Sequence, residues 1–148
     1  MSLYGRTGMK SILLALIVVI SLAACGEEDK SYTGEKTATH DCSKEPALSI
    51  RTSNATLTFT STCERVSING DDNMVRIEAT KAAAISGSKN VVEIGAVDKI
   101  SVNGSGNTVY YAKALTGSTS SYATGNNNWV GDNQETRERA QSLGMQPK

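Results

Sequence analysis

Few side chains in this chain have the type and spacing to do chemistry, and most of them lie beside glycine. Four turns of one pattern occur, Gly70-Asp-Asp-Asn73, Gly87-Ser-Lys-Asn90, Gly104-Ser-Gly-Asn107 and Gly125-Asn-Asn-Asn128. Such turns suit calcium when they gather carboxylate and carbonyl oxygens. Here only Asp71 and Asp72 bring carboxylates, Asn closes every turn, and Lys89 puts a cation into one of them. Neither calcium nor any other metal is the expected occupant, and no cofactor is implied. His40 is the sole histidine, so a catalytic triad or a histidine metal site has no second member, and an exposed polar role is expected. The run Thr56-Leu-Thr58-Phe-Thr60-Ser-Thr62 has the hydroxyl alternation of an ice-binding face. The sequence offers no recurrence of Thr-x-Thr in successive repeats, and a half-exposed strand explains the run more simply.

The turns must be positioned by repeats. With 13 Gly and ten Asn in 148 residues, about one Gly-x-x-Asn is expected by chance, against the four found. Asn73, Asn90 and Asn107 are 17 apart and Asn128 follows after 21. Counting from each Asn, apolar residues recur at minus seven and minus five (Val66/Ile68, Ala83/Ile85, Ile100/Val102) and at plus two and plus four (Val75/Ile77, Val92/Ile94, Val109/Tyr111). That alternation predicts two short strands per repeat. The step from minus five to plus two is odd, so one continuous strand would send its second apolar pair to the wrong face. Gly-x-x-Asn is therefore a corner: Gly supplies the positive φ, and Asn bonds to the backbone or to the Asn one coil above. The expected fold is all-β, a short parallel β-solenoid of about four to five coils of 17–21 residues. The stretch Leu48 to Phe59 reads as a degenerate first coil, with Asn54 one residue out of phase and no Gly. Residues 32–47 and 129–148 are candidate covers for the two ends.

Function in such a fold belongs on outward rows. Position plus one carries Met74, Val91, Thr108 and Trp129, and plus three carries Arg76, Glu93 and Tyr110. Met74, Val91, Tyr110 and Trp129 are more apolar than a solvated face requires, which marks a partner-binding surface. The competing reading is that residues 112–121 or the C-terminal tail fold over this face and bury it. A carbohydrate-active enzyme would need two or three stacked carboxylates. Position plus three offers only Glu93, and minus six (Ser67, Ala84, Ser101, Tyr122) offers none. The expectation is thus a non-enzymatic binding or scaffold module for an envelope protein or a cell-wall glycan. A small β-helix enzyme and a purely structural spacer are the alternatives.

The address is written at the start. Arg6 and Lys10 precede the apolar run Ile12 to Ile20, which is too short to span a bilayer, and Leu22-Ala-Ala-Cys25 closes it. Leu-Ala-Ala-Cys resembles the lipobox of bacterial lipoproteins. The resemblance implies cleavage before Cys25, lipidation of its thiol, and stable anchoring by two or three acyl chains. Gly26 after the Cys implies the outer membrane, facing the periplasm, in a host with two membranes, and otherwise the outer face of the plasma membrane. The expected organisation is a signal peptide over 1–24, a polar tether over 25–41, a solenoid over 42–130 and a polar tail or cap over 131–148. Losing Arg6 and Lys10 from 15 basic against 15 acidic residues leaves a charge of about minus two, and no basic patch argues for nucleic acid. Cys42 and Cys63 remain as the unlipidated cysteines in a compartment where disulfides persist. Pairing is expected, with two free thiols or an intermolecular bridge as the alternatives.

A lipoprotein signal followed by apolar-x-apolar-x-Gly-x-x-Asn-x-apolar-x-apolar blocks resembles the bacterial secreted proteins and lipoproteins of the domain of unknown function 3060 family. The likeness runs over about residues 48–130, most clearly Val66 to Tyr111. It implies fold and location, and brings no activity or site residues with it.

Overall fold

The computed structural model describes residues 30–34 and 36–132. They form nine strands: β1 (Lys30–Thr33), β2 (Thr37–Asp41), β3 (Ala47–Arg51), β4 (Thr56–Asn69), β5 (Met74–Ser88), β6 (Val91–Ser105), β7 (Thr108–Lys113), β8 (Ser120–Thr124) and β9 (Trp129–Asp132). Every pairing is parallel, each strand lying on the one a coil earlier. The first sheet stacks β1, β3, the second halves of β4, β5 and β6, and β8. The second stacks β2, the first halves of β4, β5 and β6, then β7 and β9. The fold is a parallel β-solenoid. It has six coils among the described residues, rather than four to five.

The extra coil lies at the start, where a tether was expected up to residue 41. Residues 30–41 supply β1 and β2, paired in register with Leu48–Arg51 and Thr56–Thr60. It escapes a reading by apolar period because its inward positions are mostly polar. Four inward rows run up the solenoid: Lys30, Leu48, Val66, Ala83, Ile100, Ser121; Tyr32, Ile50, Ile68, Ile85, Val102, Ala123; Ala38, Leu57, Val75, Val92, Val109, Val130; and His40, Phe59, Ile77, Ile94, Tyr111, Asp132. The middle members are almost fully buried, Leu48, Phe59, Val66, Val92 and Val102 at 0%. Each such aliphatic side chain contributes about 1.5–3 kcal/mol. Most end members, Lys30, His40, Ser121, Ala123 and Asp132 among them, are polar or small, and among the described residues no further strand pairs beyond them.

The degenerate coil is also in phase, with Ala55 rather than Asn54 at the repeat's zero position. The Ala55 N–H donates to the Asn73 Oδ1 (3.1 Å), so Leu48, Ile50, Leu57 and Phe59 regain the same offsets as their counterparts above. Asn54 instead occupies the left-handed position before it, φ 57°, shared by Asp72 (57°), Lys89 (57°), Gly106 (67°) and Asn127 (56°).

At Gly87, with φ 119°, close approach matters as much as the dihedral. An added Cβ would lie 2.1 Å from the Gly70 carbonyl oxygen one coil below, so any side chain would force the coils apart. Inward burial within β5 passes through Val75, Ile77, Thr80, Ala83 and Ile85. Both steps of three break the two-residue period, so the strand bends there and carries the chain from the second sheet to the first. In β4 the same bend holds a bulge, the pairing with β5 shifting between Phe59 and Thr62.

Candidate functional site

The corner residues come together as one buried ladder. The Asn90 Oδ1 accepts the backbone N–H (3.1 Å) and the Nδ2 (2.9 Å) of Asn73. Its Nδ2 donates to the Asn107 Oδ1 (2.9 Å) and the Gly70 carbonyl (2.9 Å). Asn107 repeats the arrangement towards Asn128 and Gly87, and the Asn128 Nδ2 ends it on the Gly104 and Thr124 carbonyls. Gly70, Gly87, Gly104 and Gly125 lie stacked beside this ladder, each close against the coil beneath. Asn73, Asn90 and Asn107 are at most 2% exposed, and both amide hydrogens of each are used inside the protein. The ladder is a structural spine.

At the start of the solenoid a second cluster closes the core. The Lys30 ammonium and the Tyr32 hydroxyl donate to the two carboxylate oxygens of Glu45. The Tyr32 ring meets the His40 ring at 4.4 Å between centroids, and His40 stacks on Phe59 at 5.4 Å. His40 is therefore a buried member of the end of the core, 8% exposed, and not the exposed polar residue expected of it. The hydrogen bond from Lys30 holds the Glu45 carboxyl below its ordinary range, helped by Tyr32. The same bonds with Glu45 raise Lys30 and Tyr32 above theirs. Cys42 and Cys63 form a disulfide, Cα–Cα 4.9 Å, that ties this first coil to β4. Asp41 beside it is lowered chiefly by the Ser43 hydroxyl, then by the Ser43 amide and the Ser61 hydroxyl.

The outward rows of the second sheet are in register as their spacing implies, Met74, Val91, Thr108 and Trp129 in one and Arg76, Glu93 and Tyr110 in the next. They are not equally accessible. Met74 is 47% exposed and Val91 half-buried, while Thr108 and Tyr110 fall to 8% and 6%. Tyr110 is thus withdrawn from the proposed partner surface, since strand parity fixes the side from which a residue leaves the sheet and not what lies over it. Trp129 is half-buried and already has a partner. Residues 112–121 leave this face elsewhere, because Thr116 and Thr119 bond to Asp98 and to the Val97 carbonyl at the bend.

What remains accessible is the lower part of the face. A depression of about 430 Å³ is lined by Thr58, Thr60, Arg76, Glu78, Glu93 and Gly95, over Phe59, Ile77 and Ile94. A second of about 330 Å³ adjoins it, with Thr56, Met74 and Val91 at its rim. Arg76 reaches Glu93 through Nε (3.2 Å) and Nη2 (3.0 Å). Their side chains are 73% and 43% exposed, so the pair contributes under about 1 kcal/mol and its groups stay available to solvent. The Glu78 Oε2 accepts the Ser61 N–H (2.8 Å). Glu78 and Gly95 have no place in the sequence reading, and Thr58 enters it only as part of the Thr56–Thr62 hydroxyl run. The signal was the alternation itself: Glu78 is the next outward residue after Arg76. Thr-x-Thr also recurs after all, Thr37 and Thr39 pairing with Thr56 and Thr58, hidden because the first coil lacks the Gly-x-x-Asn that would have aligned it. Among the described residues no group of three His, Cys, Asp or Glu side chains is placed to hold a metal. No described helix is long and apolar enough to cross a membrane. Cys25, the leader and the residues from 133 onward lie outside the described residues.

Parallel strands, two faces and an internal asparagine spine define the class, a small β-solenoid. Residues 80–127 match the model of the family described as protein of unknown function (DUF3060), the family its Gly-x-x-Asn blocks resemble. The match spans the last three Gly-x-x-Asn glycines and the strands between them. No curated protein and no solved structure matches the chain.

Proposed function

We propose that this chain is a lipid-anchored protein of the bacterial cell envelope whose solenoid is a non-enzymatic binding module. The observation that carries the binding role is the accessible part of the second sheet: an exposed Met74 beside Val91, an exposed Arg76–Glu93 pair and a continuous depression across three coils. The anchor is supported by Leu22-Ala-Ala-Cys25 behind a short apolar run, with acyl chains on Cys25 holding the protein to the membrane. Residues between Cys25 and β1 then act as a short spacer. The partner is an envelope protein or a glycan, and no nucleic acid is implied.

A second reading has one observation in its favour. Glu78 and Glu93 line the same depression, which supplies the pair of carboxylates a glycosidase needs. Both are engaged, Glu93 with Arg76 and Glu78 with the Ser61 amide, and this favours binding over turnover. Crosslinking the anchored protein in its native envelope, followed by mass spectrometry, tests the proposal. A Met74→Ala, Arg76→Ala variant should lose specific crosslinked proteins or glycans, and identical lists of both would remove the face from consideration. Incorporation of labelled palmitate should vanish in Cys25→Ala, and labelling that persists would refute the anchor.

A further inference from the structure

We infer that the depression on the second sheet is a glycan groove, occupied by a polyhydroxylated sugar chain lying across β4, β5 and β6. This rests on the reading of that face as the binding surface and narrows its ligand. The two parts of the depression share Thr58, Arg76 and Glu93. Those three residues are in register and so present a hydroxyl, a guanidinium and a carboxylate at the strand spacing of about 4.8 Å. Sugar hydroxyls both donate and accept, and they match such a line: they donate to Glu93 and Glu78, accept from Arg76 and do either with Thr58.

Gly95 deepens the groove beside this line. A Cβ there would lie 2.4 Å from the Glu78 carbonyl oxygen, so the close approach of the coils keeps this place in the groove free of a side chain. Met74 and Val91 at the rim offer apolar contact to the carbon-bound faces of sugar rings. Other polymers fit less well. A peptide adding as a strand needs a free edge, and here β4, β5 and β6 are each paired on both sides. A phosphate-rich polymer would meet Glu78 and Glu93 with Arg76 as the one cation in the lining.

The test uses the full chain in detergent micelles, with chitohexaose, cellohexaose and peptide-free peptidoglycan strands as probes, read by titration calorimetry and by amide chemical shifts. At least one probe should bind saturably and shift the amides of Thr58, Glu78 and Gly95. Thr58→Tyr, which fills the groove from an accessible position, should weaken binding by about tenfold or more. Glu93→Gln, nearly isosteric, should weaken it less, and Ser120→Tyr on the first sheet should leave it unchanged. Thermal melting of each variant checks that the solenoid is intact. If no sugar probe binds while a photo-crosslinker at position 58 captures an envelope protein, the glycan inference falls and the face remains a binding surface. If a sugar binds with equal affinity to wild type, Thr58→Tyr and Glu93→Gln, the groove and the reading of the face both fall.

Discussion

At the Gly-x-x-Asn edge, successive coils use the same residues in the same way: a glycine against the coil below, a left-handed residue, and an asparagine whose amide bonds up and down the stack. The opposite edge solves each coil separately. Cys63, Thr80 and Val97 share one inward row there, and all three are 0% exposed. The first closes a disulfide, the second turns its hydroxyl onto the Ala82 carbonyl (3.0 Å), and the third packs as an aliphatic residue. Outside them, Ser61 bulges at φ 65° onto Glu78, Lys81 meets Glu64, and Asp98 holds Thr116. A buried polar ladder permits one solution, because each amide must satisfy the next. A bend at the surface can complete its hydrogen bonds with whatever side chain is near, or with water.

The ladder is most severely disrupted by substitution at Asn90. Asn90→Ala removes partners from the Asn73 N–H, one Asn73 amide hydrogen and the Gly70 carbonyl, at about 1–3 kcal/mol for each buried group. A net loss of about 4 kcal/mol is expected by urea denaturation of residues 26–148. Asn90→Asp should cost more near neutral pH, since its second oxygen would face the Asn107 Oδ1 and the Gly70 carbonyl, both acceptors. Burial raises that new carboxyl in the folded state above its unfolded value. Stability of the variant is therefore highest in acid and falls as pH rises from the unfolded pKa, about 3.9, towards the folded one. A deficit that stayed constant between acid and neutral pH would show the ladder position to be open to water.

At the other edge the largest single contribution belongs to the disulfide. Cys63→Ala opens a loop with a sequence separation of 21, which is worth about 3 kcal/mol in the chain-entropy account. Hydrogen exchange should report the loss unevenly. Amides of β1 and β2 should accelerate together while the centre of β6 keeps its protection. Uniform acceleration would mean the six coils melt as one unit and the first is not separately held.

What the sequence reveals divides along the same line. The Gly-x-x-Asn period and the alternation around it suffice for the fold class, the direction of the side chains flanking each Gly-x-x-Asn from Val66 to Tyr111 but not those at the opposite bend, and the rows that carry Met74, Val91, Arg76 and Glu93. The first coil is illegible by that route because Lys30, Tyr32 and His40 stand where Leu48, Ile50 and Phe59 stand one coil later; ending a core calls for residues that break its pattern. Tyr110 shows the limit of parity, outward in its strand and nonetheless 6% exposed. Glu78 and Gly95 drop out of a search keyed to stacked equivalents because the bend begins there, so their rows hold different residues in each coil.

A smaller effect tests the surface side of the second edge. Asp98 accepts the Thr116 N–H (2.7 Å) and its hydroxyl (2.9 Å), anchoring the connection between β7 and β8. Asp98→Ala should cost about 1 kcal/mol and loosen residues 114–119 to proteolysis. Asp98→Asn should recover part of that, because an amide oxygen can still accept one of the two bonds. Equal losses in both variants would assign the effect to charge instead.

The smallest expected effect lies at the start of the solenoid, where Glu45 joins Lys30 and Tyr32. Its folded pKa is lowered, first by the bond from Lys30. The group therefore contributes stability above the unfolded carboxyl pKa of about 4.3, and that contribution is lost as pH falls through the lower folded value. Glu45→Gln should lower the melting temperature slightly at pH 7, with the difference closing below about pH 4 as the wild-type carboxyl takes up its proton. Because the Tyr32 hydroxyl donates to the same carboxylate, the Tyr32 ring resonances should shift with the same pH dependence. A melting difference that persisted in acid would mean that Glu45 holds the first coil by packing rather than by charge, and the end of the core would then resemble the ladder more than the opposite bend.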